Sequence, residues 1–174
     1  MNALCFTPAR ELATAIAGRQ LSSVEVVSAF LDRIDEVDDR LNAITTKVPR
    51  AEALAAAAKA DEQVAAGEPL GPIHGLPIAV KDLMDVAGLR TTHGTVAYAD
   101  APPATKDSLL AERLRAGGAI FVGKTNTPEH GLGTLTYNGI FGPTVSPWNV
   151  RKNAGGSSGG AGAAVAAGML PFAD

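Results

Sequence analysis

Residues 154–173 carry no charge, yet they do not read as a membrane span. A glycine-serine run, Gly155-Gly156-Ser157-Ser158-Gly159-Gly160, passes directly into Ala161-Gly162-Ala163-Ala164-Val165-Ala166-Ala167. The glycines, with Gly168 and Pro171, make the stretch too irregular and too weakly apolar to cross a bilayer. A flexible linker is rich in glycine and serine too, but a linker does not normally run into a small-residue helix. Small side chains at helical spacing let a helix approach its neighbours closely. The segment therefore demands a packed backbone around a tight loop, and that loop is the first candidate for chemistry.

Three chemistries compete for it. A phosphate cradle of the Walker type needs Lys and then Ser or Thr after the last glycine, and Ala161-Gly162 stands there instead. A dinucleotide loop needs a preceding strand, for which Trp148–Asn153 is a poor candidate. Amides at a helix N-terminus still favour an anion. A nucleophile elbow matches Gly155-Gly156-Ser157-Ser158-Gly159 by pattern, but that fold needs an acid and then a histidine after the serine. His74, His93 and His130 all precede it. The remaining option is a lysine base acting on serine. No serine has a lysine three residues on, so the lysine must come from elsewhere in the chain. Lys81 ends the apolar run Ile78-Ala79-Val80, where desolvation favours the neutral amine. Lowering it from about 10.4 to about 7 requires roughly 4 kcal/mol, which burial can supply. On spacing alone a surface charge at a strand end is the plainer reading. Strand alternation points Asp82 away from Lys81.

The rest of the chain alternates helices with short apolar strands, which argues for an α/β architecture. Thr7 is a candidate cap with Pro8 at the first helical position and Gly18 at the end. Ser22-Ser23-Val24-Glu25 is a capping box, and Val27, Phe30, Ile34 and Val37 follow at helical spacing. Ile44–Val48 is β-capable and ends at Pro49. Arg50–Ala66 is an alanine-rich helix stopped by Gly67. Thr105–Arg115 reads as a helix, Ala119–Val122 as a buried strand, and Thr127-Pro128 as the start of a short helix. Gly131–Ala154 reads as mostly irregular, and Met169–Ala173 as the start of a further strand.

Composition narrows the function classes. The 174 residues amount to one domain or most of one, with 46% hydrophobic content sufficient for a core. Fifteen basic against 18 acidic residues give a net charge of -3, which recruits no polyanion, so nucleic acid is not an expected partner. The single cysteine, Cys5, excludes an internal disulfide and reads as an inert buried thiol. With no basic and greasy leader at the N-terminus, a cytoplasmic location is expected.

Five segments then occur in order. They are Gly75-Leu76-Pro77-Ile78-Ala79-Val80-Lys81-Asp82, Gly123-Lys124-Thr125-Asn126-Thr127-Pro128-Glu129, Phe141-Gly142-Pro143-Thr144, Ser146-Pro147-Trp148-Asn149 and the Gly155–Gly160 loop. Together they resemble the amidase signature family over nearly the whole chain. The resemblance implies a mixed sheet flanked by helices, with residues 1–174 forming the N-terminal part of one such domain. It implies hydrolysis of a carboxamide C–N bond by a Ser-Ser-Lys triad, with no metal and no cofactor. Lys81 matches the triad lysine. Ser157 matches the bridging serine, whose preceding peptide is cis in the family, and Ser158 is a structural neighbour. Gly131, Leu132 and Gly133 match a loop bordering the acyl site, although some relatives carry serine where Gly133 stands. The family's nucleophilic serine lies in an Asp-x-Gly-Gly-Ser segment, expected after residue 174.

The expected partner is therefore a small amide, with no membrane and a homodimer by analogy only. Two alternatives stand beside the amidase. One is a protein similar to the amidotransferase subunit that releases ammonia from glutamine within a complex. Such relatives usually carry Met-Asp-Glu-Phe where Thr127-Pro128-Glu129-His130 stands here. The other is an inactive truncated product.

Overall fold

The computed structural model describes residues 3–174. Its axis is helix α2 (Ser23–Leu41), whose start is set by a reciprocal cap. Ser22 Oγ accepts from Glu25 N at 3.0 Å, and Glu25 Oε2 accepts from Ser22 N at 2.8 Å. The helix is buried on two sides. Val27, Leu31, Ile34, Val37 and Leu41 enter one core, while Val26, Ala29 and Phe30 enter another. Helix α1 (Ala9–Ala17) closes the second core with Leu12 and Ile16. Cys5 lies in that core too, its Sγ 3.5 Å from Ala29 O, and burial pushes the thiol up from its ordinary value. Helix α3 (Arg50–Ala66) lays Ala53, Ala57 and Ala60 against the first core and ends at Gly67 in the left-handed conformation.

A three-stranded sheet forms the centre. Strand β3 (Ile120–Thr125) lies between β1 (Ile44–Lys47) and β2 (Pro77–Lys81). It runs antiparallel to β1 and parallel to β2, and helix α4 (Leu109–Ala116) lies in the β2–β3 connection. Every residue of β2 and β3 is buried, as expected for strands covered on both faces. Gly123 pairs with Lys47 of β1, and a Cβ there would stand 2.3 Å from Thr46 O. Only glycine lets the two backbones meet at that point.

The architecture is the mixed α/β arrangement expected, with local differences. Helix α1 begins after Pro8, and Thr7 Oγ1 donates back to Ala3 O instead of capping. Helix α4 starts at Leu109, where Ser108 Oγ caps it, so residues 105–108 are loop. Strand β3 continues three residues past Val122, since Gly123-Lys124-Thr125 pairs with both neighbours. The stretch 131–154 contains a small hairpin of β4 (Val145–Ser146) and β5 (Asn149–Asn153). Its strands are exposed or half-buried and polar, so no apolar alternation marks them. Helix α5 spans Gly159–Ala166. Met169 and Leu170 are buried in the first core without forming a strand among the described residues.

Candidate active site

The parallel strands β2 and β3 end together, with Lys81 beside Thr125 in the register. The carboxyl ends of parallel strands are where α/β sheets place their ligands. Here the chain delivers the Gly155–Ser158 loop over that edge. Lys81 Nζ lies 2.8 Å from Ser157 Oγ and 3.1 Å from Ser158 Oγ. The lysine is only 9% exposed. Burial lowers its proton affinity from the ordinary lysine value, and the nearby Asp174 carboxylate opposes that shift. Asp174 Oδ1 also accepts from Lys81 N at 2.8 Å. A desolvated amine whose side chain touches two hydroxyls is arranged to exchange a proton with them.

The loop is held by its neighbours rather than by its own sequence. The Gly156–Ser157 peptide is cis. Asn153 Oδ1 accepts from Gly155 N at 2.9 Å and from Thr136 N at 3.1 Å. Thr136 Oγ1 accepts from Gly159 N at 3.0 Å, fixing the first turn of α5. Gly160 lets that turn press on the end of β3, because a Cβ there would stand 2.3 Å from Asn126 N. Beneath it, Asn138 Nδ2 donates to Asn126 Oδ1 at 2.7 Å and to Thr127 O at 2.8 Å. Asn126 Nδ2 donates to Thr144 Oγ1 at 3.0 Å, and Thr144 Oγ1 donates to Asn42 O at 2.6 Å. Sequence reasoning misses this buried polar frame. Its one signal is the density of Asn and Thr between residues 125 and 153, of which the part from Gly131 on reads as mostly irregular.

Lys81, Ser157 and Ser158 are thus brought together. The Gly131-Leu132-Gly133 segment follows from a 3₁₀ turn over Glu129–Gly131. Leu132 is 82% exposed, and with Gly133 it lines a shallow groove together with Pro128, Leu135 and Tyr137. Gly131 packs towards Leu83 Cδ1, which a Cβ would approach to 2.8 Å. Thr134 and Leu135 of the groove lie against the serine loop, where a Cβ on Gly156 would stand 3.2 Å from their carbonyl carbons, and Thr127 Oγ1 donates to Ser157 O at 3.5 Å. Asp82 is the first residue past β2, in a turn that strand alternation does not govern, and its buried carboxylate pairs with Lys124 and Thr92.

A family model described as Amidase matches residues 25–174. An acylamidase of Rhodococcus erythropolis is 46% identical over 95% of this chain and 34% of its own length. A glutamyl-tRNA(Gln) amidotransferase subunit of Salinispora tropica is 45% identical over 99% of this chain and 35% of its own. A bacterial aryl acylamidase structure, described as one of the amidase signature enzymes, superposes with a TM-score of 0.91. It shares 35% identity, covering 97% of this chain and 35% of that one. The chain belongs to the amidase signature family. It spans about a third of the length of the curated relatives it matches.

Proposed function

We propose that this chain supplies the lysine base and the bridging serine of an amide hydrolase. Lys81, in its neutral form, takes the hydroxyl proton of Ser157. Ser157 takes a proton from a nucleophilic serine as that oxygen bonds the amide carbon. The C–N bond then breaks, the proton returns through Ser157 to the leaving amine, and water releases the acyl group. The nucleophile and the donors facing the developing oxyanion belong to the part of the relatives' length that these residues do not span. Leu132 and Gly133 border the acyl group, with Gly131 setting the turn before them. Ser158 holds the lysine in place.

The single observation that supports this reading most is the 2.8 Å contact between a buried lysine amine and Ser157 Oγ. Those two residues are 76 positions apart in the chain. The substrate class is a small carboxamide. A second reading, glutamine-dependent ammonia release within a complex, is favoured by the 45% identity to the Salinispora tropica amidotransferase protein. Co-purification of partner subunits with the full-length protein separates the two.

The test is turnover of a simple aryl amide by the full-length protein. Lys81→Ala and Ser157→Ala each lower kcat by about a hundredfold or more while leaving the fold intact by circular dichroism. Near-parental turnover in both variants removes the mechanism.

A further inference from the structure

A second lysine sits behind the first. Lys124 on β3 is fully buried, and Val80 is its register partner on β2, one residue before Lys81. Its Nζ donates to Met84 O at 2.7 Å and to Thr91 Oγ1 at 2.8 Å, and reaches Arg90 O at 3.5 Å. It lies 3.4 Å from Asp82 Oδ1, and Asp82 is 1% exposed. Asp82 in turn accepts from Thr92 N at 3.1 Å and from the Thr92 hydroxyl. Its own backbone continues the sheet, Asp82 N donating to Thr125 O at 3.0 Å, and its carbonyl accepts from His93 N at 3.0 Å.

Removing a buried ion pair in favour of apolar side chains is often neutral for stability, so stability alone does not account for such a pair. What this one does is geometric. It ties the ends of β2 and β3 to the 84–93 loop at the residue directly after Lys81. We infer that Lys124, paired with Asp82, is a positioning residue that holds Lys81 at hydrogen-bond distance from Ser157. This rests on the reading of Lys81 as the base.

The charged groups around the two lysines are few. Asp174 faces Lys81 from the segment after α5, and Asp82, Asp85 and Asp174 act on Lys124. Removing the Lys124 ammonium leaves Asp82 with the Thr92 donors alone and with uncompensated negative charge behind β2. That charge favours the protonated form of Lys81.

The experiment compares parent, Lys124→Met, Thr91→Val and Lys81→Ala in the full-length protein, with kcat, KM and the pH profile of kcat/KM for an aryl amide. Lys124→Met is expected to lower kcat by about tenfold to a hundredfold with KM within about twofold. Its acid limb is expected to rise by about one pH unit, the effect of one uncompensated charge within roughly 12 Å at an effective dielectric near 20. An unchanged kcat or an unmoved limb overturns the proposal. Should Lys124→Met fail to fold, Thr91→Val removes one hydrogen bond to the same ammonium at nearly constant volume. It is expected to lower kcat by about threefold at constant KM, and a parental kcat overturns the proposal. Lys81→Ala separates the two readings. If it retains turnover, the assignment of the base is wrong and the positioning role falls with it. If it is inactive while Lys124→Met matches the parent, only the positioning role is wrong.

Discussion

Lys81 and Lys124 stand one register step apart on neighbouring parallel strands, and the chain treats them in opposite ways. Both are buried, and burial lowers the proton affinity of both. Lys124 is surrounded by acceptors: a carboxylate, a threonine hydroxyl and backbone carbonyls. The Lys81 amine hydrogen-bonds two serine hydroxyls, while the nearby Asp174 carboxylate is bonded to the Lys81 backbone N–H. The difference teaches what turns a lysine into a base. A buried amine with a full set of acceptors and a counter-charge is a structural cation. A buried amine whose hydrogen bonds go to hydroxyls keeps its proton more weakly and has somewhere to pass it.

Substitution of each lysine by methionine, which keeps the length and removes the charge, puts this contrast to the test. The largest expected effect is on turnover, where Lys81→Met follows Lys81→Ala in losing about a hundredfold or more. The next is on stability. Lys124→Met strands the buried Asp82 carboxylate and is expected to cost about 3 kcal/mol, read as a lowered denaturation midpoint in guanidinium. Equal stability of parent and variant would break the description of Lys124 as a structural cation. Ser22→Ala calibrates that scale far from both lysines, since loss of the reciprocal cap on α2 is expected to cost about 1 kcal/mol without changing kcat.

The smallest effect carries the sharpest sign. The folded state lowers the Lys81 proton affinity, so below the folded value the buried ammonium is a full penalty. Between the folded and unfolded values the unfolded chain holds more protons, and stability rises with pH. Lys81→Met is therefore expected to raise Tm slightly near neutral pH. The gain shrinks as pH approaches the ordinary lysine value near 10.4. A lowered Tm would place Lys81 in the same class as Lys124.

The parts of the molecule that are legible in its sequence are those with local causes. The Ser22–Glu25 box and the Pro49 and Gly67 borders of α3 all lie where their side chains or φ angles require. The meeting of Lys81 with Ser157 does not follow from spacing, since a 76-residue separation is closed only by the whole fold. Five ordered motifs point to it instead. Gly123-Lys124-Thr125 does not read as strand, because a glycine beside polar residues resembles a turn. Its register is fixed by β1 and β2, which no local pattern records. The role of Lys124 is hidden for the same reason. The Ser158 contact with Lys81 and the Asn126–Asn138 frame are likewise products of tertiary assembly.

The most direct test of the contrast is a lysine side-chain titration of the full-length protein by NMR, following ¹³Cε shifts. The Lys81 signal, assigned by its loss in Lys81→Met, is expected to titrate below the ordinary lysine range, over the same interval as the acid limb of kcat/KM. A Lys81 amine that stays protonated up to about 10.4 would contradict the account. It would leave Ser157 without a base on this chain.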